Sequence, residues 1–447
     1  MTIARTLAEF LADLSTEDLP PQTTDYAAML IASTIASAAA GKYISSAVAI
    51  RELIQERGGR TDAPIWFAGE EKYPAIGAAR ANALMSDAAA SDDSDLRNIT
   101  HAGTPLTATT LAVAETTGAR GGDVLAAMVV GYEAAGRIGA SVTPGFRQRG
   151  FHACIHAIFS AAVATGRLIG LNAGRMTHAI GLAATSIGGL VAAGNETVAR
   201  EYHAGLATML GMEAAMAAGK GFTAEDRIFE MSGGFCETYG GTDGADIVEG
   251  LGDEWDIVTD MAIKLMPGSH FNHATAEAAA TAAKKADASL DEIARIILSR
   301  PGLKKFAGPR HPENLIDMAH STAFFLAAAV ADREFGWDHA TPEKILDPAI
   351  HQMIEKTEVG PEPTENVDAY RQGATVIIET ADGGRFEETV LVPNGAGCRG
   401  IDWADVDSKY RALAPAALGT TEIEASLDLI HEFSKLEDVS RFSELLR

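Results

Sequence analysis

Apolar residues recur at helical spacing through the first 265 or so positions, in one segment after another. Residues 4–14 place Leu7, Phe10, Leu11 and Leu14 on one face. Residues 23–39 form a long Ala/Ile/Leu run that stops at Gly41, and residues 75–90 begin after Pro74. Residues 106–117 stop at Gly118, 121–138 at Gly139 and 202–218 at Gly219; residues 152–169 and 173–193 complete the set. No alternating strand pattern of any length interrupts them, so a pack of close helices is expected.

The texture changes after Pro267. Residues 273–286 read as an Ala/Thr helix, 294–298 as a buried strand and 315–330 as a helix. Residues 375–379 and 387–392 read as two strands joined through Ala381-Asp382-Gly383-Gly384, a hairpin signal. Residues 404–413 and 423–446 return to helix. The expected fold class is mainly α. A large all-helical domain, 1–267 with 400–447, accompanies a smaller α+β domain, 268–399, inserted before the C-terminal helices.

Composition agrees with this picture and narrows the function. The 447 residues are 47% hydrophobic and 22% charged, which suits a globular protein and excludes a disordered one. Aromatics are only 6% and alanine dominates, so the helices pack through small side chains. The net charge of -25 argues against nucleic acid and anionic membrane as partners, since both need a basic face. A local basic pocket for a small anion stays compatible with it. Three cysteines, none in a CxxC pair, argue against a disulfide framework or a thiolate zinc site and for a reducing, cytoplasmic setting. The N-terminus carries acids within its apolar pattern and does not read as a leader, and the longest uncharged stretch, near Ala179 to Gly194, is short of the ~20 apolar residues a membrane span needs.

Several motifs lead nowhere. Gly395-Ala396-Gly397-Cys398-Arg399-Gly400 has the spacing of a dinucleotide fingerprint, but the strand before it belongs to a hairpin and no βαβ unit surrounds it. It reads as a linking loop. His152 and His156 have a metal-compatible spacing, as do His270 and His273. The first pair has no HExxH glutamate and no metal-binding thiolate motif, and the second has no adjacent carboxylate, so no metal is expected.

Two segments concentrate chemistry. Ser91-Asp92-Asp93-Ser94-Asp95 runs on to Asn98-Ile99-Thr100-His101-Ala102-Gly103. A histidine entering a helix behind a carboxylate cluster suits an oriented general acid/base; the alternative is a capping loop with solvated acids. Lys264 to His273 crowds a lysine, donors and histidines at the expected domain boundary, where small-molecule clefts form.

In this order, these segments resemble the MmgE/PrpD family over nearly the whole chain. The Asp-rich loop leads to His101-Ala102-Gly103, where the family has His-Pro-Gly or His-Pro-Ser. Gly131-Tyr132-Glu133 with Arg137 follows, then Gly150-Phe151-His152-Ala153, resembling Gly-Trp-His. Arg200-Glu201-Tyr202-His203-Ala204-Gly205 resembles Lys-x-x-His-Ala-Gly, and Lys264 to His273 resembles Lys-x-Tyr-Pro-x-Cys followed by His. The resemblance implies a helical domain with an α+β lid, a homodimer and no organic cofactor. It also implies a small polycarboxylate substrate held between the domains. The implied catalytic groups are His101, His152, Lys264 and the carboxylate of Asp93 or Asp92. Arg200, His203, Ser269, His273 and Asp92 would bind substrate.

The chain also departs from the family pattern. A family histidine falls on Asp87 or Ala88, and an aspartate on Ala90 or Ser91. The family lysine falls on Arg200 and a lid tyrosine on Phe325. Arginine clamps carboxylates and keeps its charge, whereas lysine can also pass a proton. These losses favour proton transfer at a carbon beside a carboxylate over expulsion of hydroxide. The expected activity is a cofactor-independent two-base epimerase, with iminodisuccinate as substrate. A hydro-lyase of the 2-methylcitrate type and an inactive binding protein are the alternatives.

Overall fold

The computed structural model describes residues 1–186, 188–192 and 197–447. It divides into two compact units, Met1–Ile263 with Asp402–Arg447, and Lys264–Ile401. The molecule is mainly helical, with small sheets.

The first unit is built around helix Cys154–Leu168, whose neighbours are helices Gly103–Thr117, Gly121–Ser141 and Ala199–Gly219. Small residues let these backbones approach closely. A Cβ on Gly131 would lie 2.5 Å from Leu106 Cδ2 and 2.8 Å from the Ser160 carbonyl oxygen. Gly118, in the left-handed region at φ 68°, ends helix Gly103–Thr117 as its sequence position suggests. The C-terminal segment returns to this unit, where helix Trp403–Leu413 packs on helix Pro21–Gly41.

Two short antiparallel pairs lie among these helices, Ala63–Pro64 with Lys72–Tyr73 and Asp93–Asp95 with Met261–Ile263. Neither follows from an apolar alternation, because the second pair buries three polar residues in its first strand. The expected helix 173–193 ends at Ala184; Ile187 and residues 193–196 lie outside the described set.

In the second unit, strand Ile293–Ser299 pairs parallel with Thr357–Val359 and antiparallel with Ala374–Thr380, which pairs antiparallel with Arg385–Val390. The hairpin turns through Gly383 at φ 89°. Helices His273–Ala286 and Thr322–Asp332 cover this sheet's apolar side chains. Two expected continuous helices are broken. Ser321 interrupts 315–330 because its hydroxyl accepts from the Phe324 N–H and starts a new helix. Residues 423–446 split into Thr420–His431, a short turn and Ser440–Leu445. The segment from Gly395 to Gly400 is a loop whose Arg399 donates to Glu277 and the Val392 carbonyl, consistent with a structural linker.

Among the described residues, no single helix is long and apolar enough to cross a membrane.

Candidate active site

The Asp-rich segment is buried, so its acids are not a solvated cap. Asp92, Asp93 and Asp95 are all 0% exposed. Asp95 Oδ1 accepts from the Arg97 and Asn98 amides at 2.8 and 3.1 Å, and the Asp95 amide donates to the Thr100 carbonyl at 2.8 Å. Ile99 takes a left-handed φ of 61°, folding the chain back on itself. Burial pushes the Asp95 carboxyl up to about 6, against the pull of Arg97 and helped by Asp260. Arg97 also reaches Asp256 at 2.5 Å and Asp260 at 2.9 Å, tying this turn to the segment before Met261. The turn delivers His101 to the start of helix Gly103–Thr117.

Two acceptors meet His101 Nδ1, Asp92 Oδ2 at 2.7 Å and the Asp93 carbonyl oxygen at 2.7 Å. The neutral ring therefore carries its hydrogen on Nδ1 and its lone pair on Nε2. The Asp93 carboxylate has a different task from the one expected of it. Both of its oxygens lie 3.0 Å from the Gly103 amide, so it caps the helix. Asp92 supplies the carboxylate that orients His101.

His152 precedes helix Cys154–Leu168, and its Nδ1 accepts from the Cys154 amide at 3.3 Å. Its neutral tautomer therefore carries the hydrogen on Nε2, opposite to His101. Burial, then the neighbouring His203, His101 and Arg200, holds its pKa well below the usual histidine range. The His203 ring centroid lies 5.0 Å away. His203 is 8% exposed, and its Nδ1 has no hydrogen-bond partner among the described residues. Burial lowers its pKa too, opposed by Asp87. His156, one helical turn on, is turned into the core. Its Nδ1 meets the Thr100 hydroxyl and its ring stands edge-on to Phe146, and burial lowers it to about 3.

Arg200 lies near the start of helix Ala199–Gly219. Its Nε is 3.1 Å from Asp87 Oδ2 and its Nη2 donates to the Asp87 carbonyl at 2.7 Å. Burial opposes the charge, but Asp87, Asp92 and Glu201 outweigh it and raise the pKa. Burial likewise pushes the Glu201 carboxyl up to about 7, against its hydrogen bond from Ser46. Asp87, His101, His152, Cys154, Arg200 and Ala204 line one cavity. The first unit thus brings together His101, His152, Arg200 and, beside them, Asp92 and His203.

Sequence reasoning met Asp87 only as a position on which a family histidine falls, and placed neither Asp87 nor Cys154 in the site. Asp87 left a usable signal, because an acid in the last turn of the Ala-rich helix Ala75–Ala88 opposes the helix dipole. Two sets of side chains place ligand atoms within 4.8 Å of one another: His152, Cys154 and His203, and Asp87, Asp92 and His101. In the second set Asp87 faces Arg200, and Asp92 faces His101.

The remaining expected residues belong to the second unit. Lys264 is its first residue and is 1% exposed. The Ser269 amide donates to the Ala319 carbonyl at 2.8 Å. His273 opens helix His273–Ala286, with its ring 4.6 Å from that of His270 and stacked on Phe325 at 6.3 Å. Glu133 and Arg137 are structural: they pair at 2.5 Å, Glu133 also accepts from the Asp256 amide, and Arg137 donates to the Glu249 carbonyl.

The family model described as the MmgE/PrpD N-terminal domain matches residues 5–247, and that described as the MmgE/PrpD C-terminal domain matches residues 266–433. A cis-aconitate decarboxylase-like protein of Aspergillus oryzae, oryM, is 25% identical over 72% of this chain and 71% of its own. A cis-aconitate decarboxylase of Aspergillus terreus is 24% identical over 98% of this chain and 95% of its own. The human cis-aconitate decarboxylase is 23% identical over 73% and 69%.

Proposed function

The chain belongs to the MmgE/PrpD family, and from that premise we propose that it is an acid/base enzyme acting on a small polycarboxylate. The reaction we favour is epimerisation of iminodisuccinate. The observation that carries this reading is the pair of histidines with opposite tautomers on one cavity. His101 offers a lone pair at Nε2, and His152 offers a hydrogen at Nε2.

Epimerisation removes the proton on an α-carbon from one face and returns one from the other, with no bond to carbon otherwise broken. His101, held by Asp92, accepts the proton, and the developing imidazolium is stabilised by that buried carboxylate. His152 donates to the opposite face or to the enolate-like oxygen; a neutral imidazole can polarise a carbonyl in this way. Arg200 has five N–H donors; one on Nη2 goes to the Asp87 carbonyl, and Nε faces the Asp87 carboxylate. Its remaining donors and its charge would hold a substrate carboxylate. Lys264, with Ser269 and His273, completes the proposal on the strength of the motif they share with the family. Lys264 serves there as a protonated electrostatic stabiliser, with the substrate supplying its counter-charge. A carboxylate-rich substrate gives an acidic protein a use for such cations.

The relatives favour a second reading, a lyase acting on a tricarboxylate, because those named above are decarboxylases or decarboxylase-like. Incubation with iminodisuccinate, cis-aconitate and 2-methylcitrate in deuterated water separates the two. Deuterium at the α-carbon of intact iminodisuccinate supports the epimerase. Carbon dioxide from cis-aconitate or an unsaturated product from 2-methylcitrate supports the lyase and rejects the epimerase. No change in any of the three, with binding retained, rejects both and leaves a binding protein.

A further inference from the structure

His156 stands one helical turn after His152, and its Nδ1 meets the hydroxyl of Thr100, the residue before His101. The neighbours of this contact assign its donors and acceptors. The Thr100 amide, which can only donate, lies 2.9 Å from Asn98 Oδ1. Asn98 Nδ2 lies 3.1 Å from the Gly136 carbonyl oxygen, which can only accept. The Asn98 side chain is thereby fixed with its oxygen toward Thr100, and that oxygen also accepts the Thr100 hydroxyl hydrogen. A hydroxyl has one hydrogen to give, so Thr100 Oγ1 must accept from His156, whose ring carries its hydrogen on Nδ1. Burial, then Arg147, lowers the His156 pKa to about 3, so the ring stays neutral.

The result is a directed chain of hydrogen bonds, from His156 to Thr100, to Asn98, and on to the Gly136 carbonyl. It starts on helix Cys154–Leu168, passes through the turn that carries His101, and ends on helix Gly121–Ser141. His156, Thr100 and Asn98 are each at most 1% exposed. Gly139 makes room for the crossing, because a Cβ there would lie 2.7 Å from both Asn98 Nδ2 and His156 Nδ1. The His156 ring is also held edge-on by Phe146, with centroids 5.0 Å apart.

We propose that His156 is a positioning residue that, through Thr100, fixes the separation of His101 and His152. The proposal rests on the reading of those two histidines as the proton carriers. Thr100 is joined to His101 by a peptide bond. The Ile155 amide donates to the His152 carbonyl at 3.2 Å, so the first turn of the helix ties His152 to His156. One buried link thus spans the two backbones that deliver the opposed rings. His156 and Thr100 do not themselves line the cavity. Proton transfer tolerates little misplacement, and an error of ~1 Å can cost about 10²-fold in rate. A link that never touches substrate should therefore act on kcat far more than on KM.

The hydrogen-bond chain is tested in the full protein without substrate. Histidine ¹⁵N spectra, with His156→Leu assigning the signal, should show a neutral His156 ring protonated on Nδ1 and unchanged between about pH 5 and 8. A hydrogen on Nε2, or a ring that charges in that range, would overturn the chain and the proposal with it. The positioning role is tested by turnover of whichever of the three substrates the parent converts. His156→Leu and Thr100→Val should each lower kcat by about tenfold to a hundredfold, with KM within about threefold. Thr100→Val keeps the shape of the side chain, so it tests the link even where His156→Leu fails to fold. Thr100→Ser keeps the hydroxyl, and His156→Asn keeps an N–H in the place of Nδ1; both should recover most of the rate. The double variant should lose little more than either single one, because both cut the same link. Leu7→Ala loosens the same hydrophobic core elsewhere, and should lower the thermal midpoint while leaving kcat within about threefold. Parent-like kcat in His156→Leu and Thr100→Val, additive losses, or an equal loss in Leu7→Ala would overturn the role. Absence of turnover in the parent would reject the proton carriers, and this role with them, while the spectra would still decide the chain, so the two failures are told apart.

Discussion

Replacing Gly103 by alanine probes the local device that sets the His101 loop. Gly103 is the first residue of helix Gly103–Thr117, and its amide faces both Asp93 oxygens at 3.0 Å. A Cβ there would lie 2.5 Å from Leu30 Cδ1, 2.8 Å from Leu30 Cγ and 2.7 Å from Asp93 Oδ1. All three separations are too short for a real side chain, and Leu30 is itself wholly buried in helix Pro21–Gly41. Something must move. Lengthening a buried charge-assisted hydrogen bond costs about 1.5–3 kcal/mol, and overpacking a core costs about 1–3 kcal/mol. The two are partly alternatives, since moving Asp93 relieves the crowding, so the net loss should be roughly 2–5 kcal/mol. The readout is the urea midpoint at an unchanged slope. Gly336→Ala is the control: it is extended, with nothing within 4 Å of its Cβ position, and should shift by less than about 0.5 kcal/mol. Because the Asp93 carbonyl also accepts from His101 Nδ1, α-proton exchange should slow in the surviving folded protein. A Gly103→Ala variant within about 1 kcal/mol of the parent and fully active would refute both the cap and its link to His101.

Other consequences can be checked with the same assays. His101→Asn should lower kcat by about 10²–10⁴-fold with the fold intact, so near-normal turnover would remove His101 from the mechanism. Arg200→Lys should mainly raise KM, because the fork on Asp87 and the substrate carboxylate is lost; a fall in kcat alone would show that its role is misassigned. Lys264→Met should abolish turnover and weaken carboxylate-inhibitor binding together, and unchanged inhibitor binding would separate it from the substrate. Glu201 titrates near 7 when folded and near 4.5 when unfolded, so the folded state holds the extra proton between those values. Its contribution to stability is present at low pH and is lost as pH rises through about 7, so Glu201→Gln should flatten that decline. A pH–stability curve identical to the parent's would contradict the burial of that carboxyl.

Helices were readable wherever a local rule coincided with packing. The glycine at 118 and the small residues at the crossings speak for themselves, and the Ala381–Gly384 turn predicts the pairing of its two strands. The strand Asp93–Asp95 was hidden because its side chains are polar and buried, and because the strand it pairs with, Met261–Ile263, is distant in sequence. Ser321 was hidden for a related reason: a cap inside an apolar run leaves the hydrophobic period intact while breaking the helix. At the site, the histidines were legible as residue types in motifs. Which aspartate orients His101 was not, because Asp92 and Asp93 differ only in the direction of a side chain. The Arg200–Asp87 pair needed the folding of two helices against each other and could not be read along either one.

The return of the C-terminal segment to the first unit has a consequence for how the protein is made. Lys409, 2% exposed, donates to Ser33 Oγ at 2.7 Å and to the Ser91 carbonyl, one residue from Asp92. The Gly121 amide donates to the Leu436 carbonyl at 2.8 Å, and the Phe67 amide to the Leu446 carbonyl at 2.5 Å. A nascent chain has none of these contacts when residue 263 leaves the ribosome. The second unit, from Lys264 to Ile401, must be synthesised first, and at roughly 5–20 residues per second that takes on the order of ten seconds. The contiguous second unit is free to fold in that interval. The first waits with the face of helix Pro21–Gly41 that Trp403–Leu413 will cover still open to water. The Asp-rich loop meanwhile lacks the Lys409 contacts that pin it. The polypeptide is therefore most exposed to misassociation before its last tenth is made, and the loop that orients His101 is completed among the last of its parts.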